Sequence, residues 1–186
     1  MLHGFTKVTI DEISTLLGIS KKTVYHYFPS KEELVERIVE MTLSEIRDGL
    51  DRIVTDEESP FPDKLQRLFH FLGHRLPALI SKPFLNDLQK KLPHLWNRID
   101  QFRKELLLAR FDTFIQEGID QGVIRRDLNK QLFTLIYINT VQNIFRPDVL
   151  MNIPLTLNEV ADGIIKTFFI GILTDDVRSN FQEAQI

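Results

Sequence analysis

Cysteine is missing altogether from these 186 residues, which excludes a disulfide framework, a thiolate nucleophile and a thiolate zinc site. That composition fits a reducing compartment, and a cytoplasmic protein is expected. Long apolar runs are missing too. The longest uncharged stretch, Gln131 to Phe145, is interrupted by Asn139, Gln142 and Asn143 and falls short of the roughly 20 residues of a membrane helix. The opening Met1-Leu2-His3-Gly4-Phe5 has neither the basic region nor the apolar stretch of a signal peptide, so export is not expected. Glycine and proline are scarce, eight of each, and Val-Thr alternation is rare, which points away from turn-rich sheets and toward helices. Neither sign of charge dominates: 23 Lys and Arg stand against 26 Asp and Glu, for a net charge of -3. A Walker loop, a dinucleotide glycine motif and a nucleophile elbow are all absent, so no enzyme and no cofactor are expected.

Phenylalanine is abundant by contrast, with 14 residues falling mainly after position 60. Such a content implies either a large aromatic core or an aromatic wall around a cavity. At this mass roughly 70% of the chain's surface can be buried on folding, so a substantial core needs no covalent staples.

The first fifty residues carry three helix starts. Thr9-Ile10-Asp11-Glu12 and Ser30-Lys31-Glu32-Glu33 each place a hydroxyl at the N-cap and a glutamate three residues on, the pattern of a capping box. Ser20 starts another helix. Gly18 lies where one helix must stop and reverse, because glycine accepts positive φ without Cβ strain. The result is a helix, a tight turn and a short second helix ending before Pro29. Ile10, Ile13 and Leu16 or Leu17 form the apolar side of the first, and Ile19, Val24 and Phe28 anchor the turn and the second. Lys21, Lys22, Thr23, Tyr25, His26 and Tyr27 are left for the outer side. Cations and hydroxyls bond phosphates, and Thr and Tyr also reach base edges, so the pattern is that of a helix-turn-helix reading helix. Lys31 and Thr9, at helix starts, are placed to meet phosphate.

The segment from Gly4-Phe5 to Leu34, GFTKVTIDEISTLLGISKKTVYHYFPSKEEL, resembles the DNA-binding domain of the TetR family of bacterial transcriptional regulators. Its marks are the GF pair, T-x-x-x-I, Gly18-Ile19-Ser20, the run Thr23 to Phe28, and Phe28-Pro29-Ser30-Lys31-Glu32 with Leu34. The resemblance implies that Thr9 to Leu16 is a support helix, that Ser20 to Tyr27 reads DNA, and that Lys31 contacts the backbone. It also implies a first helix ahead of Gly4, of which only Met1-Leu2-His3 stand in this sequence; were the protein to lack that helix, Ile13, Leu17, Val24 and Phe28 would lose part of their cover. Charge adds little, since Lys7, Lys21, Lys22 and Lys31 against Asp11 and Glu12 leave residues 1 to 31 at +2.

An amphipathic pattern runs through Leu34, Ile38, Met41, Ile46, Leu50 and Ile53 and stops at the polar stretch 55–62, a hinge candidate. A DNA-binding unit is expected over residues 1–50 and a helical regulatory and dimerisation unit over 51–186. In the latter, Leu65 to Leu79 reads as a helix broken at Pro77, Phe84 to Lys91 as a short helix, and Pro93 to Gln121 as a long one started by its proline. The turn Gly122 to Asp127 leads to two apolar helices, about Asn129 to Phe145 and Leu155 to Leu173. Along the last, Leu157, Val160, Ala161, Ile164, Ile165, Phe168, Phe169 and Ile172 keep three-and-four spacing. Gly163, Thr167 and Gly171 recur every four residues on another side, open either to an intramolecular crossing or to a two-fold dimer. The resemblance implies the dimer, with Val160, Gly163, Ile164, Thr167, Phe168 and Gly171 as its interface.

Phe69, His70, Phe84, Trp96, Phe102, Phe111, Phe114, Phe133 and Tyr137 are the candidate lining of an apolar pocket, although such spacing also suits plain core. Asn139, Gln142 and Asn143 are candidates for its polar groups or for an interface. His70 and His74 stand four apart on one helix side, but no third ligand is legible and no metal is expected. The expected protein is all-α: an N-terminal helix-turn-helix followed by a helical ligand-binding and dimerisation domain. Its expected function is transcriptional repression as a homodimer on a palindromic double-stranded DNA operator, relieved by a small apolar or aromatic effector. The alternatives are a DNA-bound interaction module without effector, and a helical carrier or enzyme using the aromatic pocket.

Overall fold

The computed structural model describes residues 4–183, and the regular elements among them are all helical, apart from one isolated antiparallel bridge between Ile124 and Leu173. Met1-Leu2-His3, expected to be the remnant of a first helix, lie outside the described residues. A short 3-10 turn, Phe5–Lys7, leads to α1, Ile10–Leu17. The capping box at its start is complete. The Glu12 amide donates to Thr9 Oγ1 at 3.2 Å, and the Glu12 carboxylate accepts from the Thr9 amide at 2.7 Å. At its end Gly18 takes φ +66°, the left-handed conformation a Cβ would resist. α2, Lys21–Tyr27, starts on Ser20, whose hydroxyl accepts from the Thr23 amide at 3.0 Å.

α3, Lys31–Val54, runs 24 residues, and at 1.5 Å per residue it extends about 36 Å. It ends in a loop tied around Asp56, whose carboxylate accepts from the Ser59 amide at 3.1 Å, the Ser59 hydroxyl at 2.8 Å and Arg67 Nη2 at 2.5 Å. α4, Phe61–His70, then passes without a break through a π-helical turn, Phe71–Arg75, into α5, Leu76–Leu79. The break predicted at Pro77 is therefore a widened turn just before it. The proline ring would collide with the carbonyl four residues back, that of Gly73, and a π turn makes the room. The displaced Gly73 carbonyl is not left bare, because Asn158 Nδ2 donates to it at 3.2 Å.

α6 is Lys82–Lys91 and α7 is Pro93–Asp120. Gly122, at φ +72°, reverses the chain into α8, Lys130–Ile144. A short α9, Pro147–Leu150, precedes α10, Leu157–Phe169, and α11, Asp175–Glu183; neither α9 nor α11 was legible beforehand. α10 opens on a second capping box, Thr156 with Glu159.

Two apolar clusters result. The smaller joins Val35 and Val39 of α3 to Phe84, Leu88, Leu92, Leu95 and Ile99. The larger fills the C-terminal part of the bundle and takes in Ile46 and Ile53 from the far end of α3. Its aromatic centre is a set of ring contacts: Phe111 stacks on Tyr137 with centroids 4.9 Å apart, and Phe169 of α10 meets Tyr137 edge-on at 5.5 Å. At the end of the bundle Lys64 is buried, and its ammonium donates to both Glu117 oxygens at 2.6 and 2.8 Å. Gln121 Nε2 donates to the same carboxylate at 3.3 Å, while its oxygen accepts from the Phe61 amide at 3.1 Å. This network joins the first turn of α4 to the last turn of α7.

A buried charge stripped of its partner is worse than no charge at all. Glu117→Leu is therefore expected to destabilise the chain by about 3 kcal/mol, at the low end for a buried pair because Glu117 keeps some solvent contact. Lys64→Met combined with Glu117→Leu is expected to recover most of that loss in urea unfolding. A double variant no more stable than the single one would contradict this account.

Candidate nucleic-acid interface and interior cavity

On α2 the inward group is Val24, which is buried, whereas Lys21, Lys22, Thr23, Tyr25, His26 and Tyr27 are all exposed. One helix seven residues long thus seats its valine and presents six polar or aromatic side chains together. They are not all equally available. Lys21 is ion-paired with Asp11 of α1, and the Thr23 hydroxyl is hydrogen-bonded to Ser20 Oγ at 2.8 Å. His26 and Tyr27 hold one another edge-to-face with centroids 5.2 Å apart. Lys22 and Tyr25 carry neither restraint. Thr9 and Ser20 are exposed but serve as caps, and Lys31 is half-buried at the start of α3.

Cover over the two helices is uneven. Val24 is buried, Ile13 and Phe28 are half-buried, but Leu17 and Leu16 are 62% and 87% exposed. The unit is nevertheless tied to the rest of the chain. The Thr6 amide and hydroxyl donate to Asp87 Oδ2 of α6 at 2.8 and 2.6 Å, and Phe5 meets Phe84 edge-on at 5.7 Å. Gly4 allows this approach, since a Cβ there would collide with the Asp87 carboxylate.

A cavity of about 420 Å³ lies between α3, α6, α7, α8 and α10. Ile38, Thr42, Ile46 and Leu50 of α3 form one wall, Ile99, Phe102, Arg103 and Leu106 of α7 another. α6 contributes Phe84 and Leu85, and α8 and α10 close the space with Tyr137, Val141, Ile164 and Ile165. Of the pocket residues predicted, Phe84, Phe102 and Tyr137 line it. Phe111, Phe114 and Phe133 do not, because they lie beyond Leu106 where α7 packs on its neighbours, Phe114 against Phe61 at 4.7 Å and Phe111 stacked on Phe133 at 5.8 Å. Phe69 sits off the cavity edge-on to Phe169 at 5.3 Å, and Trp96 is buried one turn before the lining stretch of α7. His70 is exposed, its ring 5.2 Å from that of His74, and no group of metal-ligating residues forms among the described residues.

Asn139 and Asn143 likewise turn away from the cavity, each donating to the backbone carbonyl four residues earlier at 2.8 Å. They share the outer side of α8 with Leu132, Leu135 and Ile136, which are 47% to 59% exposed. On α10, Val160 and Ile164 are buried in the chain's own core, so they are not free to form an interface. Phe168 is half-buried, packing on Phe133 and Tyr137 at 6.1 and 5.5 Å. Gly163, Thr167 and Gly171 are exposed, and no described residue would touch a Cβ at either glycine. Among the described residues, those glycines therefore take part in no intramolecular crossing.

Sequence reasoning missed Arg103, the charged group on the cavity wall. The signal was available: residue 103 falls four after Ile99 and seven after Trp96, on the buried stripe.

Residues 1–38 match the family model for bacterial regulatory proteins of the tetR family. The uncharacterized HTH-type transcriptional regulator YvaF of Bacillus subtilis (strain 168) is 30% identical over 176 residues, which make up 93% of this chain and 89% of YvaF. The chain belongs to the TetR family. Two solved TetR-fold structures agree in architecture. PfmR from Thermus thermophilus superposes with a TM-score of 0.56 at 19% identity, covering 89% of this chain and 90% of PfmR. FadR from Bacillus subtilis, in complex with stearoyl-CoA, superposes with a TM-score of 0.51 at 20% identity, covering 91% of each chain. This TetR-family member is a helix-turn-helix, DNA-binding transcriptional regulator, and no described helix is long and apolar enough to cross a membrane.

Acid should loosen the first helix of the DNA-binding unit of this regulator. The Thr9 amide, and then its hydroxyl, hold the Glu12 carboxyl below its ordinary value of 4.5. A lowered folded value means that the stabilisation is complete above about 4.5 and is lost as pH falls through the folded value. Amide-exchange protection in α1 is expected to exceed that of Glu12→Gln at pH 7, and the difference to shrink as pH falls below 4.5. A difference that acid leaves unchanged would remove this cause.

Proposed function

We propose that this chain is a ligand-responsive repressor that binds a palindromic operator as a homodimer and leaves it when a small apolar or aromatic molecule occupies the cavity. The observation that carries this reading is the double use of α3. Its first residue, Lys31, follows the reading helix by one short turn, and its middle supplies Ile38, Thr42, Ile46 and Leu50 to the cavity wall. A second connection runs through α6, which faces the cavity with Phe84 and Leu85 and holds the DNA-binding unit through Asp87. A ligand that prefers one packing of α3 and α6 would thereby prefer one placement of α2. The division into a DNA-binding unit at 1–50 and a regulatory and dimerisation unit at 51–186 belongs to the same proposal, with α3 serving both.

A single seven-residue reading helix offers too few contacts for a specific site, whereas two-fold pairing sets two of them on successive major grooves about 34 Å apart. The outer side of α8, with Leu132, Leu135 and Ile136, together with Gly163, Thr167 and Gly171 of α10, is the face we assign to that pairing. The open glycines would let the partner's backbone come close. The cavity favours the effector reading over a DNA-bound module with a filled interior. FadR, a structural neighbour, is itself seen with stearoyl-CoA.

Binding to a palindromic duplex is expected to weaken steeply with salt, and Lys22→Ala to reduce the slope of log K against log salt by about 1 if Lys22 meets a phosphate. Leu135→Arg is expected to yield a monomer in sedimentation and to abolish specific binding while leaving the helical content unchanged. Salt-independent affinity, or a Leu135→Arg chain that still pairs, would refute the corresponding half of the proposal.

A further inference from the structure

Among the described residues, Arg103 Nη1 is a buried side-chain polar atom with no hydrogen-bond partner. The guanidinium lies over the Trp96 ring at 5.2 Å and over the Phe145 ring at 5.8 Å. A planar cation held by its faces is left with its N–H edge free for bonding. Arg103 is on the cavity wall, and no carboxylate of the described residues comes into ion-pair contact with it. Asp100 acts on it only as a charge at a distance, and burial pulls the guanidinium down to about 10, so it stays protonated at neutral pH. A desolvated cation without a counter-charge is costly to maintain, and an arriving anion offsets that cost.

The rest of the lining sharpens the choice. The Thr42 hydroxyl donates to the Ile38 carbonyl at 2.8 Å, which commits its proton, and Ser81 Oγ caps α6 by accepting from the Phe84 amide at 3.3 Å. Tyr137, whose phenol burial holds well above its ordinary value, also lines the space, and no hydrogen bond engages its hydroxyl among the described residues. The side-chain groups left without any hydrogen-bond partner in the lining are thus the cationic Arg103 edge and the Tyr137 hydroxyl, in otherwise apolar walls.

We infer that the cavity takes a carboxylate-bearing amphiphile, its carboxylate received by the Arg103 guanidinium and its hydrocarbon or ring body lying between α3 and α7. A guanidinium edge matches two carboxylate oxygens at once. A space of about 420 Å³, at about 30 Å³ per water-sized group, has room for roughly 14 heavy atoms. The inference rests on the cavity being the effector site and goes beyond that reading by naming the effector's chemical class.

The test uses the whole chain, whose single tryptophan is Trp96, the residue under Arg103. Decanoate and 4-phenylbutyrate are titrated against their neutral counterparts, 1-decanol and 4-phenyl-1-butanol, by calorimetry and by Trp96 fluorescence. At least one acid is expected to bind saturably and about tenfold or more tightly than its alcohol, the factor a charge-assisted bond supplies. Arg103→Met is expected to bind acid and alcohol alike, and Arg103→Lys to keep part of the preference. Because the acid-to-alcohol comparison is made on the unaltered chain, it stands whether or not Arg103→Met folds. Equal affinities for acid and alcohol would overturn the inference while leaving an apolar effector cavity in place. No saturable binding of any of the four would overturn both. A clear preference for the acid, with no change in operator affinity, would uphold the inference and defeat the effector reading.

Discussion

The continuity of α3 is the constraint on which the other features rest. A helix of 24 residues can be buried in two places at once only if its apolar side keeps phase along its whole length, and Val35, Val39, Ile46 and Ile53 do so. The first two serve the smaller cluster with α6 and the start of α7, and the last two serve the larger one. Surface pairs secure the same helix against its neighbours, Glu40 with Arg98 at 3.0 Å and Asp51 with Arg110 at 2.9 Å, both on α7. Exposed pairs of this kind add little stability individually; the packing beneath them holds the register.

Tight packing and an open space coexist in the C-terminal part of the bundle because the aromatic residues are unevenly placed. The rings of Phe111, Phe133, Tyr137 and Phe169 meet at 4.9 to 6.2 Å and fill their share of the interior. Toward α3 the facing side chains are mostly aliphatic, from Ile38, Ile46 and Leu50 on one wall and Ile99 and Leu106 on the other, and they do not meet across the gap. Tyr137 belongs to both regions. The π turn at Phe71–Arg75 belongs to the same design: Pro77 rules out regular backbone bonding, the turn widens, and Asn158 of α10 satisfies the freed carbonyl. A local defect on one helix is thereby converted into a contact with another.

Much of this architecture was legible in one dimension. The capping box at Thr9, the glycine turn at Gly18 and the proline start of α7 are encoded within a few neighbouring residues, and the elements they bound are found within a residue or two of expectation; the box expected at Ser30 is only half made, its hydroxyl accepting from the Glu33 amide at 3.1 Å. The outward set on α2 was legible for the same reason, since one buried valine in a seven-residue helix orients all the rest. Less was legible in the regulatory half. Phe111 and Phe102 look alike in sequence, but one packs on α8 and the other faces the cavity, because that depends on where a partner helix ends. Val160 and Ile164 were expected at an interface, but the chain's own core had already claimed them.

The sequence by itself determined an all-helical chain, the helix-turn-helix and its exposed groups, and membership of a family of DNA-binding regulators, because each is a short-range pattern of caps, turns and periodicity. The tertiary structure alone decided which aromatic residues enclose a space, that α3 and α6 both border it and hold the DNA-binding unit, and that Arg103 is set in its wall without an ion-pair partner among the described residues. Those outcomes come from contacts between residues dozens of positions apart. Periodicity specifies which side of a helix is buried; only the assembled bundle specifies what that side meets.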